Sequence, residues 1–338
     1  MDIAEPKAAS SFQERLKAYQ VAWAEANGLA DKTETASGRP WVFKREYETN
    51  NLFEPNWWTY IAGKEHRWAR ALNSSQCFAV NLFAPLIENR GLAKSVYVQL
   101  LPDRQLEDDD VVSVELEYSP AQAREWLGER GHQTQVDAAF AIYRGGKAVA
   151  YLLIEVKLSE TTFGTCRGAK SRNKNGRGNP DPGRCRDLAG ILAAPDENCW
   201  LAETEGRRYW NYMMSPQSPF DFSALDDGAA CPFAGGLYQP MRNRVLADAL
   251  VAETDAIWAD FAVTIHPDND VARVLAEEVA GETDAVSAFG RVVGKDGVCV
   301  IAPSNILTAA CNSDASLSLW AEWMRERYML PLGDNRVD

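Results

Sequence analysis

Two nearly continuous apolar runs, TQVDAAFAIY at 134–143 and AVAYLLIEVKLSE at 148–160, constrain this chain more than any other feature. They flank Arg144-Gly145-Gly146-Lys147. Two β-rich runs around a glycine pair form a hairpin. Runs this apolar belong to strands covered on both faces. Asp137, Glu155 and Lys157 interrupt them, and a buried carboxylate is costly unless it is paired or holds a metal. Glu155 and Lys157 stand two apart and so share one face of their strand. Asp137 joins that face if the loop is the three residues Gly145-Gly146-Lys147, which sets Asp137 opposite Glu155. A two-residue Gly-Gly loop sets it opposite Ile154 and breaks the group. The sequence leaves both registers open, although three-residue loops containing glycine are common.

Two adjacent carboxylates repel each other unless a cation lies between them. Oxygen ligands that leave positions for water and phosphate suit Mg²⁺ or Mn²⁺. Such an ion polarises a phosphoryl oxygen and acidifies a bound water. Lys157 would orient that water or stabilise charge on the phosphate. The pattern predicts phosphodiester hydrolysis. The competing reading is a structural ion pair of Lys157 with either acid. A bare Glu-x-Lys decides nothing, since Glu5-Pro6-Lys7 matches it too. The paired apolar strands and the preceding Asp favour catalysis.

Elsewhere the periodicity predicts a helix over 11–28, a turn-rich aromatic stretch over 30–65, and a helix over 73–89. Asn73 or Ser74 would cap that second helix, and Pro85 should end or kink it. Strands are expected at 96–102, 111–118, 261–266 and 297–302, with helices at 237–258, 270–280 and 315–328. A mixed α/β sandwich follows. The expected organisation is an N-terminal helical and aromatic extension (1–70), a core (71–310) with a basic, Cys-containing insertion at about 162–235, and a C-terminal helix (311–338).

With its companion segments SSQCFAVNLFAPL, VELEY and YQPMRNRVLA, the pair VDAAFAIY and LLIEVKLSE resembles the PD-(D/E)XK nuclease superfamily, in particular its bacterial restriction-endonuclease-like members. Val136 replaces the superfamily's proline. The resemblance implies an αβββαβ core with a mixed central sheet flanked by helices, Mg²⁺ as cofactor, Asp137 and Glu155 as metal ligands, and Lys157 as catalytic lysine. Val156, between the last two, joins the implied ligand set. Glu117 is the preferred additional carboxylate and Gln76 a weaker one; Glu117 could equally be a solvent-facing strand position. Gln239 matches a polar position beside the lysine, or is a surface residue. The resemblance also implies DNA as substrate and a role in restriction or anti-phage defence. Alternatives are a non-catalytic nucleic-acid-binding or scaffold protein, and a nuclease for RNA or single strands.

The chain carries a net charge of −13, which does not favour nucleic acid. Residues 167–186 reverse it locally, with Arg167, Lys170, Arg172, Lys174, Arg177, Arg184 and Arg186 against Asp181 alone. This loop is expected to contact DNA, with Arg242 and Arg244 adding to the same face; the plain alternative is a solvated loop. Trp57, Trp58, Trp200 and Trp210 offer stacking surfaces, although packing explains most such residues. Cys166, Cys185, Cys199 and Cys231 are candidate ligands for Zn²⁺ or an iron–sulfur cluster, without a C-x-x-C knuckle. Cys77, Cys299 and Cys311 read as buried small apolar residues. His66, His132 and His266 form no metal or nuclease motif, and no phosphate-binding or dinucleotide glycine pattern appears. No signal pattern and no membrane span is visible, so the expectation is a cytoplasmic protein. Duplex cleavage would suit a homodimer or a defence-system partner.

Overall fold

In the computed structural model, which describes residues 11–171, 178–225, 228–269, 285–294 and 297–331, the main elements follow one another thus. They are α1 (Phe12–Ala26), β1 (Thr33–Glu34), β2 (Arg39–Phe43), α2 (Ser75–Glu88), α3 (Arg90–Leu100), β3 (Val111–Tyr118), β4 (Val136–Arg144) and β5 (Lys147–Lys157). After these come α4 (Tyr238–Glu253), β6 (Trp258–Ile265), α5 (Ala285–Val293), β7 (Cys299–Val300), α6 (Pro303–Ser313) and α7 (Ser318–Tyr328). Strands β3 to β7 form one five-stranded sheet in that order. The β3–β4 and β4–β5 pairs are antiparallel; β5–β6 and β6–β7 are parallel. The protein is therefore mixed α/β, as its sequence predicts.

Alternation along the strands divides the core into two layers. Ala150, Leu152, Ile154 and Val156 of β5 face one layer, packed by α1, α2, α3, α6 and α7. Tyr151 and Leu153 face the other, beneath α4, α5 and the segment between β5 and α4. The described residues of that segment form short helical turns around Trp210, Phe220, Phe222 and Phe233. Phe12 and Leu16 of α1 and Trp320 and Tyr328 of α7 enter the same apolar layer as the sheet.

Three expectations change. Residues 96–102 do not form a strand; most of them belong to α3. Its buried residues Leu92, Ala93, Val96 and Tyr97 follow a helical face, and the Asn89 side chain accepts from the Leu92 N–H as N-cap. This outweighs the β preference of Val96, Tyr97 and Val98. Of the two outcomes expected for Pro85, the helix end does not occur, since α2 runs on to Glu88. A proline lacks the N–H that would bond the carbonyl four residues back. Here that carbonyl belongs to Asn81, and the Trp320 indole donates to it at 2.7 Å. The strand expected at 297–302 contracts to Cys299–Val300. The helix expected at 270–280 lies outside the described residues. Ser74, rather than Asn73, caps α2 by accepting from the Cys77 N–H.

Trp320→Phe removes the donor and strands the buried Asn81 carbonyl. We expect the urea midpoint to fall, corresponding to about 1–3 kcal/mol for the unmet acceptor.

Candidate active site

The hairpin turn holds two residues, not three. Arg144 pairs with Lys147, and Gly145 and Gly146 take φ of 58° and 80°. Positive φ at both central positions is the tight hairpin geometry that glycine permits without strain. On its own this register would have put Asp137 across from Ile154. A bulge prevents it: Tyr143 pairs with Ala148 but Ile142 pairs with Ala150, so Val149 is the extra residue. From there the ribbon runs to Ala138 opposite Ile154, which brings Asp137 level with Glu155. The expected pairing is reached by a different route.

Asp137, Glu155 and Lys157 share the side of the sheet that α4 covers. The Lys157 ammonium lies 2.5 Å from Glu155 Oε1, with both side chains buried. The other oxygen of Glu155 accepts from the Asn243 amide at 2.6 Å. Asp137 Oδ2 accepts from the Val156 N–H at 2.6 Å. Burial first, and then the Glu155 charge, raise the Asp137 carboxyl well above its ordinary value; Lys157 and the Val156 N–H oppose this. Burial alone would lower Lys157, but Glu155, Glu160 and Asp137 outweigh it and hold the ammonium charged. A cleft of about 580 Å³ opens onto the group, lined by Asp137, Glu155, Val156, Lys157, Gln239 and His66 among others. Gln239 lines the same cleft as the lysine.

Glu117 and Gln76 come together too, as a support. The backbone of Glu117 takes φ of 52°, uncommon for a residue with a Cβ. It lies between the pairs Leu116–Ala138 and Tyr118–Val136, and so level with Asp137. Its Oε1 accepts from Gln76 Nε2 and its Oε2 from Gln135 Nε2, each at 2.5 Å. His66 Nε2 stands 3.6 Å from Oε2, and this contact raises the imidazole pKa against its partial burial. Gln76 also accepts from the His66 N–H and donates to the Lys64 carbonyl. Glu117 thus ties Gln76 of α2 to Gln135 ahead of β4.

The sequence reading missed Asn243 and His66. Asn243 was within reach, one turn beyond Gln239 on the same helix face. His66 carried no motif, and only the fold brings it to Glu117.

The other candidates scatter. Arg167 pairs with Glu205 at 2.9 Å, and Arg184 with Glu203 at 2.8 Å. Lys170 and Arg186 are exposed, while Arg172, Lys174 and Arg177 lie outside the described residues. Arg242 and Arg244 turn inward instead of adding to a binding face: Arg242 donates to Thr134 Oγ1, and Arg244 to Asp248 and the Ala259 carbonyl. Trp57, Trp58, Trp200 and Trp210 are buried packing residues. Cys77 is buried as expected, but Cys299 and Cys311 are only half-buried. Cys166, Cys199 and Cys231 border one small apolar cavity, and the Cys231 N–H bonds the Cys185 carbonyl. Burial pushes the Cys166 thiol up to about 12. His266 is a buried core residue, its Nε2 2.8 Å from the Tyr328 carbonyl and its pKa lowered to about 4 by burial. No group of three or more His, Cys, Asp or Glu among the described residues is arranged to hold a metal ion.

What the cleft offers instead is a facing pair of carboxylates. Asp137 Oδ1 takes no hydrogen bond from any described residue, and Asp137 is only half-buried. Two repelling carboxylates with a free oxygen at an open cleft fit a hard divalent cation.

A family model described as "Restriction Endonuclease associating with ARP" (REase-ARP) matches residues 17–329. No curated protein and no solved structure matches the chain. Among the described residues no helix is long and apolar enough to cross a membrane.

The raised Asp137 carboxyl fixes the sign of a pH effect. Between the ordinary value of 3.8 and the raised one, the folded protein keeps a proton that the unfolded chain has released. Stability of the metal-free protein therefore falls as pH rises through that window. In melting curves recorded in EDTA, Asp137→Asn should flatten this decline. An unchanged slope would mean that Asp137 ionises normally.

Proposed function

This chain belongs to the REase-ARP family, restriction endonucleases associating with ARP, and from that premise we propose that it is a PD-(D/E)XK endonuclease cleaving DNA with Mg²⁺ or Mn²⁺. The observation that carries this reading is Asp137 level with Glu155, with Lys157 bonded to Glu155, at one open cleft. On this reading β3, β4, β5 and β6 with α2 and α4 make up the restriction-endonuclease core.

Asp137, Glu155 and the Val156 main chain are the proposed metal-holding groups. When bound, the ion supplies Lewis-acid polarisation of a phosphoryl oxygen and an acidified water. The remaining work falls to side chains. Lys157, kept charged by three carboxylates, donates to a non-bridging phosphate oxygen and stabilises the charge that grows there. Glu155 aims Lys157, and Asn243 fixes the rotamer of Glu155. The Phe163 ring lies under the ammonium, 5.6 Å from centroid to Nζ, within cation–π range. Gln239, which lines the cleft, is the proposed contact to the scissile strand. The Glu117–Gln76–Gln135 bonds hold β3 where Asp137 needs it.

We further propose a role in restriction or anti-phage defence in the cytoplasm; the family's description supports the restriction part alone. Its description names association with ARP, and we extend that trait to this chain as a proposal. A duplex has two strands to cut, so a second copy or an associated partner would supply the second cut.

Plasmid cleavage in Mg²⁺ tests the centre. Lys157→Ala is expected to lose about 10²–10³ in rate, the scale for removing one charge-stabilising donor. Asp137→Ala should lose at least as much. Full activity in both variants would eliminate the proposed centre. Asn243→Ala, acting through Glu155, should lose about 10- to 100-fold.

A further inference from the structure

Beside the catalytic cleft lies a second cavity of about 760 Å³ that the proposed chemistry does not use. The two adjoin, and Gln13, His66, Ser75 and Glu160 line both. The far walls carry Trp41, Trp68, Arg67 and Lys17. Trp68 is half exposed, at 51%, whereas Trp57, Trp58, Trp200, Trp210 and Trp320 are all buried. Leaving so large an apolar ring in water forgoes a substantial burial gain.

The ring is held out on a rigid ledge. Ala69 N–H bonds the His66 carbonyl and Ala71 N–H the Trp68 carbonyl, closing tight turns over 66–71. The fully buried Asn51 donates to the Ala69 and Ala71 carbonyls. Gln76 pins the His66 N–H, and Arg70 donates to the Phe43 carbonyl. Arg67 lies over the Trp68 ring at 5.2 Å, and Lys17 over Trp41 at 3.3 Å. At the neck between the cavities, Ser75 opens α2 and turns that helix's N-terminal end toward both.

We infer that this second cavity is a subsite for an unpaired nucleobase, stacked on Trp68, belonging to the strand whose phosphate occupies the Asp137–Glu155–Lys157 cleft. A base inside a duplex has both faces covered by its neighbours, whereas a free π-face stacks on an aromatic ring whatever the sequence. The cationic side chains near the indoles serve the flanking backbone, and the α2 N-terminus suits the phosphate at the neck. The cavity size falls within the roughly 300–1,000 Å³ of small-ligand clefts. The inference rests on the nuclease reading for the strand it names. A single strand and a base flipped from a duplex share this chemistry.

The test uses the full-length protein in EDTA, so that binding is read apart from cleavage. The probes are a single-stranded DNA carrying 2-aminopurine, a duplex carrying it at a mismatch, and the fully paired duplex. Stacking on Trp68 should quench the probe in the single strand, in the mismatched duplex or in both, and the responding arm identifies the source. Trp68→Ala should weaken that binding about 5- to 150-fold, the range for losing one stacked base, and Trp68→Phe should recover most of it. Matched circular dichroism spectra establish that each variant is folded. Affinity and quenching unchanged by Trp68→Ala, or quenching equal in the fully paired duplex, would overturn the inference. Because this readout needs no catalysis, failure of the wild type to cut a plasmid removes the nuclease reading and leaves the stacking result standing.

Discussion

Asp137 meets Glu155 because β5 carries one residue more than β4 between the turn and the site. The side-chain period of a strand is two, so a slip of one residue sends every side chain to the opposite face. A two-glycine turn and the bulge at Val149 together fix the register, and the rest of the site follows from it. Once the carboxylates face each other, their repulsion has to be met. Lys157 meets part of it through Glu155, Asn243 engages the second oxygen of Glu155, and the Val156 N–H engages Asp137. Burial first, and then what remains of the repulsion, show as the raised Asp137 carboxyl.

The support around this centre draws on elements far apart in the chain. Gln76 of α2 links the 64–66 turn to Glu117 of β3, and Gln135 ties the approach to β4 to the same carboxylate. Glu117 keeps a left-handed backbone while these bonds hold it. Strain of this kind persists where the surroundings over-determine a conformation, and it gathers at functional sites. Ahead of β4, the buried Glu129 accepts from the Thr134 N–H and hydroxyl and from Tyr209, fixing the segment that delivers Asp137. Residues that never reach the cleft thus set the geometry within it.

Much of this was legible in the sequence where a rule of period applied. The apolar runs of β4 and β5, the charges breaking them, and the helical face of α4 all carried their own evidence of burial. The register did not, because a bulge has no composition signature: Val149 is an ordinary strand residue and only its pairing marks it out. Residues 96–98 misled through side-chain preference, since Val-Tyr-Val favours strand until an Asn89 cap and a buried i, i+4 face decide otherwise. The basic insertion was read from charge alone. Arg167 and Arg184 turn out to have acidic partners, Glu205 and Glu203, that follow later in the sequence. His66 was invisible for the same reason, its partner lying across the fold. The REase-ARP match over residues 17–329 agrees with the hydrophobic core, which α1 and α7 help to build.

The bond from Trp320 to the Asn81 carbonyl orders events in time. Helix α2, which supplies Gln76 to the site, carries an acceptor that its own proline cannot serve. Arg327 likewise reaches Asn51, and Tyr328 reaches Asn81 and His266. A nascent polypeptide emerging from the ribosome therefore holds the strands bearing Asp137 and Glu155 well before it holds the helix that completes their scaffold. The contacts that back the cleft's scaffold are complete only once residues 320–328 have been made.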